Sequence, residues 1–280
     1  MSCRKSHWYI KLFVVWIPVI LICAYAVLPV AWAFVTSIKG PTEIHTASVR
    51  YWPHNPTLQN YINVFTTTDF GVQFKNSCIV SLGTTLLCVF FSITAAYAFS
   101  RFHFRGSKLL RKFFISSQMF PKVLIIIPLF VIMRGLHLLN TKGSLVLAYT
   151  TFSLPYVMYM LIGYFTGIPK ELDEAATVDG CSRTGILFKI VLPLAIPGIV
   201  ATAIYTFIHA WDELMFAVMF TSTAAQRTLP VGLKMYIGEY GIEWGNMCAA
   251  ALMTSLPVIL LFMFLQKFLI AGMTSGGVKG

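Results

Sequence analysis

Six windows of about 20 apolar residues, lying at 10–35, 77–99, 113–133, 144–164, 194–220 and 247–270, constrain this chain more than any other feature. A hydrocarbon core about 30 Å thick is crossed by about 20 helical residues, so each window is long enough to span a bilayer. None alternates apolar and polar residues, which argues against a β-barrel. Inside lipid every backbone polar group must then be satisfied within its own segment. The expected fold class is all-α, a polytopic membrane protein with six transmembrane helices forming one domain over residues 1–280. Composition agrees: 57% of residues are hydrophobic and only 11% charged, against about a quarter charged in soluble domains.

The first window competes with a secretory signal, because Arg4, Lys5 and Lys11 form a basic start and Ala31-Trp32-Ala33 imitates a cleavage site. Its apolar core exceeds the usual 7–15 residues, so a retained span is expected. The six cysteines are scattered, with no C-x-x-C pair and no His/Cys group at zinc spacing, so no metal or other cofactor is expected. Placing the N-terminus inside puts thirteen Lys/Arg on the cytoplasmic side against six outside, with Lys75 and Lys122 uncounted because they fall near or within spans. That bias predicts both termini and the loop 170–189 in the cytoplasm, with 39–74 and 221–246 outside. Attraction to anionic membrane lipid and this asymmetry account for the net charge of +11, leaving no case for nucleic acid.

The longest cytoplasmic loop, 165–193, holds the polar stretch EAATVDGCSRTGILFKIVLP at 174–193. It reads as two short helices. Pro169 suits a first turn, Glu171, Asp173 and Glu174 favour the positive end of the helix dipole, and Gly180 suits a left-handed cap. Ser182 can cap a second helix that carries Ile186, Leu187 and Ile190 on one side and stops before Leu192-Pro193. Ala175 and Ala176 are expected to leave a shallow docking face, with Glu174 and Asp179 as fixed acceptors. Gly180 is expected both to end one helix and to let the next approach closely. The plainer alternative is an amphipathic connector lying on the membrane surface.

Glu174-Ala175-Ala176, then Asp179-Gly180, then Leu192-Pro193 resembles the EAA loop of ABC-importer permeases. PTLQNY (56–61), NSCIVS (76–81), AAYAFSRFHFRG (95–106), MFP (119–121) with PLF (128–130), PLAIPG (193–198) and AGMTSGGVKG (271–280) extend the resemblance to sugar-importer permeases related to the inner maltose-permease subunit. The resemblance implies a bacterial inner-membrane permease for a sugar. It also implies a second related permease, two copies of a cytoplasmic ATP-binding subunit and an extracytoplasmic solute-binding protein as partners. In that family the EAA helices sit in a cleft of the ATPase, which implies ATPase-coupling roles for Glu174, Ala175, Ala176, Asp179, Gly180, Leu192 and Pro193.

Such permeases commonly carry Trp-Asn and then an acid in the fifth span, where this chain has Trp211-Asp212-Glu213. An ionised carboxylate at the bilayer centre costs about 3 kcal/mol on insertion scales, so it usually faces a cavity or a partner. Two readings stand. One is a solute pathway with Trp211 as stacking surface and the acids accepting from hydroxyls; the other is an inter-subunit lock with Trp211 as packing. Lys122, after Pro121 in the third span, either snorkels, pairs with an acid or contacts solute, and Pro121 and Pro128 are expected to kink that span. His209 is expected to be a hydrogen-bonded helix residue, and Gly163 and 198–203 are expected to be close-packing surfaces.

No G-x-x-x-x-G-K-[ST] loop occurs and the closing SGGVKG lacks its spacing, so the chain is not expected to hydrolyse ATP or to be an enzyme. A self-sufficient ion-coupled transporter and a non-transporting anchor are the weaker alternatives. The first wants internal repeats and more acids within spans. The second gives no reason for charged, kinked spans.

Overall fold

The structure is a computed structural model that describes residues 12–46, 50–238 and 241–275, with side chains at 12, 241 and 269–275 not described. The basic start at Arg4, Lys5 and Lys11 and the end of the AGMTSGGVKG segment lie outside these residues. Along the chain run α1 (Ile17–Ser37, entered through a π turn Leu12–Trp16), α2 (Pro41–Ile44), α3 (Gln59–Thr67), α4 (Phe70–Arg101), α5 (Ser107–Ser117), α6 (Lys122–Gly135) and α7 (Lys142–Gly167). Then follow α8 (Glu171–Val178), α9 (Arg183–Ile186), α10 (Ile196–Trp211), α11 (Met215–Phe220), α12 (Leu229–Lys234) and α13 (Trp244–Ser275). A ribbon of two-residue strands, β1 (Ile237–Gly238) and β2 (Gly241–Ile242), pairs antiparallel before α13. The fold is all-α and membrane-embedded: among the described residues four helices are long and apolar enough to cross a bilayer, six if two bent pairs count as one span each.

Those bent pairs correct the expectation of simple kinks. The third window is two helices, α5 and α6, meeting at 99° across a break that ends at Pro121. Pro121 fixes φ near −60° with extended ψ, so it opens α6 rather than bending a continuous helix. The fifth window is likewise interrupted, since α10 stops at Trp211 and α11 starts at Met215.

The chain falls into two compact units, one made of the residues up to 70 with 233–256 and the other of 71–232 with those from 257 onward. In the first, α1 is apolar throughout and nothing in its 18-residue window is buried. Its end is tied down by polar contacts instead. The Asn60 amide donates to the Ser37 and Lys39 carbonyls at 2.8 Å each, and the Ser37 and Tyr61 hydroxyls meet at 2.8 Å. A helix C-terminus leaves carbonyls without partners, and Asn60 of the PTLQNY segment supplies a donor to them.

In the second unit α7 is the spine. Val157, Met158, Leu161 and Phe165 pack with Cys88 and Ala96 of α4 in one core, whereas Leu145, Ala148 and Tyr149 pack with Val80, Met133, Phe216 and Phe220 in another. Gly198 of α10 is where two helices approach closely, because a Cβ there would run into the Tyr164 ring. Gly163, expected to serve the same purpose, meets nothing within 4 Å. The NSCIVS segment anchors a distant loop: Asn76 donates to the Ala225 and Arg227 carbonyls at 2.9 Å, and Ser77 Oγ accepts from Leu229 N.

Candidate functional site

The loop after α7 folds as a helical hairpin, α8 to α9, whose corner is determined by backbone hydrogen bonds. Gly180 sits at φ +82°, its N–H bonds the Thr177 carbonyl, and the Cys181 N–H reaches back to the Ala176 carbonyl at 2.9 Å. This is the double-bonded glycine cap that a left-handed residue permits at low cost. Nothing lies within 4 Å of a Cβ built on Gly180, so the expected close approach of the second helix is absent there and φ alone requires the glycine. Ser182 then accepts from Gly185 N and starts α9.

The second helix does not stop before Leu192-Pro193. It widens into a π turn over Leu187–Val191, continues through Leu192–Leu194 and bends by 77° into α10. Pro193 has no N–H to offer the Lys189 carbonyl, and the wider turn lets the Leu192 N–H bond the Leu187 carbonyl instead. Leu192 and Pro193 therefore lie in the helical segment that runs from the hairpin to the bend ahead of α10.

The two alanines divide. Ala176 is buried in the α4–α7 core, whereas Ala175 is exposed, since neighbours on a helix point about 100° apart. The exposed face of α8 is Glu171, Glu174, Ala175 and Val178, at i, i+3, i+4 and i+7, with Asp179 exposed at its end. Val178 is 88% exposed, and Leu172 and Phe188 are exposed nearby. Of these apolar side chains Val178 shares the exposed face with Glu171, Glu174 and Ala175, and sequence reading passed over it.

The opposite side is held by a pairing that sequence spacing does not show. Arg101, the last residue of α4, places Nε 2.8 Å from Asp173 Oδ2 and Nη2 3.4 Å from Oδ1, while Nη1 donates to the Ile168 carbonyl at 3.2 Å. The two side chains are 5% and 17% exposed, so water screens the pair little. Tyr97, one turn earlier on α4, donates its hydroxyl to the Arg183 carbonyl, and the Arg183 guanidinium lies 4.9 Å over the Phe102 ring. One end of α4 thus grips both helices of the hairpin.

The second group of residues gathers at the helix breaks. Trp211 is 1% exposed, stacked on Phe207 at 5.4 Å and meeting Phe74 edge-on at 5.7 Å. Its ring is packing within this chain, not a free stacking surface. Glu213 folds over the first turn of α11, accepting from Met215 N, Phe216 N and Ala217 N at 3.0 to 3.3 Å. A carboxylate suits a helix N-terminus, and these bonds occupy the group offered from sequence as a hydroxyl acceptor. Asp212 is exposed.

Lys122 begins α6 just past the break, with Nζ 6.0 Å from the Phe152 ring. It shares a narrow cleft of about 10 Å³, room for one water, with Tyr149, Phe152, Ser153, His209 and Glu213. His209 lies on the exposed side of α10, its ring against Tyr205. The structure therefore brings Lys122, His209 and Glu213 together and leaves Trp211 behind them. Among the described residues no His, Cys, Asp and Glu group has metal-binding geometry.

Comparison with known proteins agrees with this architecture. The sulfoquinovosyl glycerol transport system permease protein SmoH of Agrobacterium fabrum is 40% identical over 90% of this chain and 88% of its own. The trehalose/maltose transport system permease protein MalG of Thermococcus litoralis is 37% identical over 93% of this chain and 94% of its own. Among solved structures, a bacterial ABC transporter involved in the import of the acidic polysaccharide alginate matches with a TM-score of 0.81 at 22% identity, covering 93% of this chain and 98% of that one, which concerns the fold alone. Residues 88–275 match the family described as binding-protein-dependent transport system inner membrane component, and the chain belongs to that family of transport permeases.

Proposed function

We propose that this chain is the permease subunit of a bacterial ABC importer that carries a carbohydrate across the inner membrane, and that the α8–α9 hairpin receives the stroke of a cytoplasmic ATPase. The carbohydrate cargo is supported by relatives named for sulfoquinovosyl glycerol, trehalose and maltose, and diacetylchitobiose transport. The chain works as one permease domain with both termini in the cytoplasm and performs no chemistry itself. Its partners are a second, homologous permease, two ATP-binding subunits and an extracytoplasmic binding protein, in keeping with an alginate ABC transporter solved with its periplasmic protein.

The observation that carries the reading is the two-sided hairpin. One face, Glu171, Glu174, Ala175 and Val178, is free to be covered, and the other is bolted to α4 through Arg101 and Asp173. A contact equal in both states of the ATPase shifts nothing, so the free face must meet a surface that differs between them. The bolt and the Leu192-Pro193 segment, which leads to the bend before α10, then give the displacement two exits, into α4 and into α10. The test is copurification followed by uptake. An ATPase and a second permease should accompany the wild-type chain, and Glu174→Lys should lose binding-protein-stimulated ATP hydrolysis while still inserting with its partner permease. Wild-type stimulation and uptake in that variant would reduce the hairpin to a connector.

A further inference from the structure

We propose that a cavity at the C-terminal end of α1 holds the headgroup of an anionic phospholipid, with the Lys39 ammonium against its phosphate. The cavity measures about 350 Å³, a size that small ligands occupy, and its described lining belongs entirely to the first unit. Pro29, Trp32 and Thr36, at i, i+3 and i+7, form one wall along α1. Trp244 and Cys248, at i and i+4, form a second along the first turn of α13, and Lys39, Glu43 and Arg50 border the remainder. Both helical walls are ends of apolar spans, so the cavity lies at the depth of lipid headgroups, where tryptophan is enriched. In the orientation proposed above this is the outer leaflet.

Lys39 is only 4% exposed, yet its ammonium has no anionic neighbour. It donates to the Arg50 carbonyl at 2.5 Å and lies 4.6 Å over the Trp32 ring, which leaves N–H capacity for a further acceptor. Among the described residues no carboxylate comes within ion-pair distance of it, and a buried charge without an opposite one is costly. Glu43 borders the same cavity, but its carboxylate accepts from the His54 and Asn55 backbone amides at 3.2 to 3.3 Å. Lys39 and the exposed Arg50 against Glu43 leave one net positive charge at the cavity. One phosphate diester neutralises it. The α1 wall then continues away from Lys39 through Leu28, Tyr25 and Leu21, spaced by three and four residues and all exposed. An acyl chain covers such a stripe and an inorganic ion does not, so the occupant is an amphiphile. A zwitterionic headgroup would leave the positive charge standing. Phosphatidylglycerol removes it, and its glycerol hydroxyls suit the lone pairs that Glu43 has left.

The test uses the assembled transporter, delipidated in detergent, with the chain's own Cys248 as reporter and Cys23, exposed on α1 and absent from the cavity wall, as control. N-ethylmaleimide adducts at each cysteine are followed by mass spectrometry while phosphatidylglycerol, phosphatidylethanolamine or inorganic phosphate is added. Saturating phosphatidylglycerol should slow labelling of Cys248 about tenfold, and the other two additives by less than about twofold. Cys23 should respond to the two lipids alike. Lys39→Met should abolish the protection, and Lys39→Arg should keep it. Protection by inorganic phosphate alone would mean a free-anion site, and equal protection by both lipids would mean an apolar cavity without headgroup recognition. A Cys248 that is unreactive before lipid is added would mean that a partner subunit fills the cavity. Each of these results overturns the proposal, as does full protection in Lys39→Met. The comparison of the two lipids on the wild-type complex decides the matter even where a Lys39 variant fails to assemble.

Discussion

The α8–α9 hairpin and the α10–α11 break are both polar interruptions between apolar runs, yet they handle their charges in opposite ways. The hairpin turns Asp173 inward to Arg101 and presents Glu171 and Glu174 outward, so its charges are sorted by face. The break turns Glu213 onto the backbone of α11 and leaves Asp212 exposed beside His209. A surface element that meets a protein partner needs one fixed side and one free side. An interruption within a span has first to satisfy the backbone groups that the broken helix releases.

The contrast is most easily broken at the rings packed behind the break. Trp211→Ala should destabilise the chain by about 3–5 kcal/mol, as for other buried tryptophans, and Trp211→Phe by clearly less. Thermal unfolding in detergent measures this. If Trp211→Ala leaves stability unchanged and removes only uptake, the tryptophan belongs to the path and the assignment to packing fails. Next comes Arg101→Ala, which leaves Asp173 without its partner in a site little exposed to water and should cost about 2–3 kcal/mol locally. Uptake should fall while insertion persists. Exchanging the two charges, Arg101→Asp with Asp173→Arg, should recover part of the loss, and no recovery would mean that Arg101 acts alone.

Smaller effects sharpen the difference between cap and acceptor. Glu213→Ala removes the cover on the α11 amides and should cost about 1 kcal/mol, whereas Glu213→Gln keeps an acceptor oxygen and should cost a few tenths. A larger loss from the glutamine variant would show that the negative charge itself is needed. Asp212→Asn should leave stability within about 0.5 kcal/mol, as for exposed positions generally.

Hydropathy made the all-α membrane class readable, because a span is a local property of about 20 consecutive residues. The hairpin corner was equally local: Gly180 and Ser182 act on backbone groups within five residues of themselves. What stayed hidden was long-range. Arg101 and Asp173 are 72 residues apart, and each had a sufficient local explanation, one as a loop charge and the other as a helix-start acid. Ala176 facing inward was recoverable from the 100° step between neighbours, once Val178 and Glu174 were assigned to the free face. The span breaks were half legible: Pro121 signalled a disturbance, but not that it would be a 99° turn. Nothing apolar in Leu214 to Phe220 betrayed the second break, where Glu213 supplies the local sign as a carboxylate three residues before the Phe216 amide that it caps.

The central claim is that the hairpin passes the ATPase stroke into this chain, and binding-protein-stimulated ATP hydrolysis in the reconstituted complex tests it most directly. Gly180→Val forces a branched residue to φ +82° and should disturb the corner by about 1–3 kcal/mol without touching any span. The account predicts that the variant inserts with its partner permease, that hydrolysis no longer responds to the loaded binding protein, and that uptake is lost. Wild-type stimulation together with wild-type uptake would contradict it.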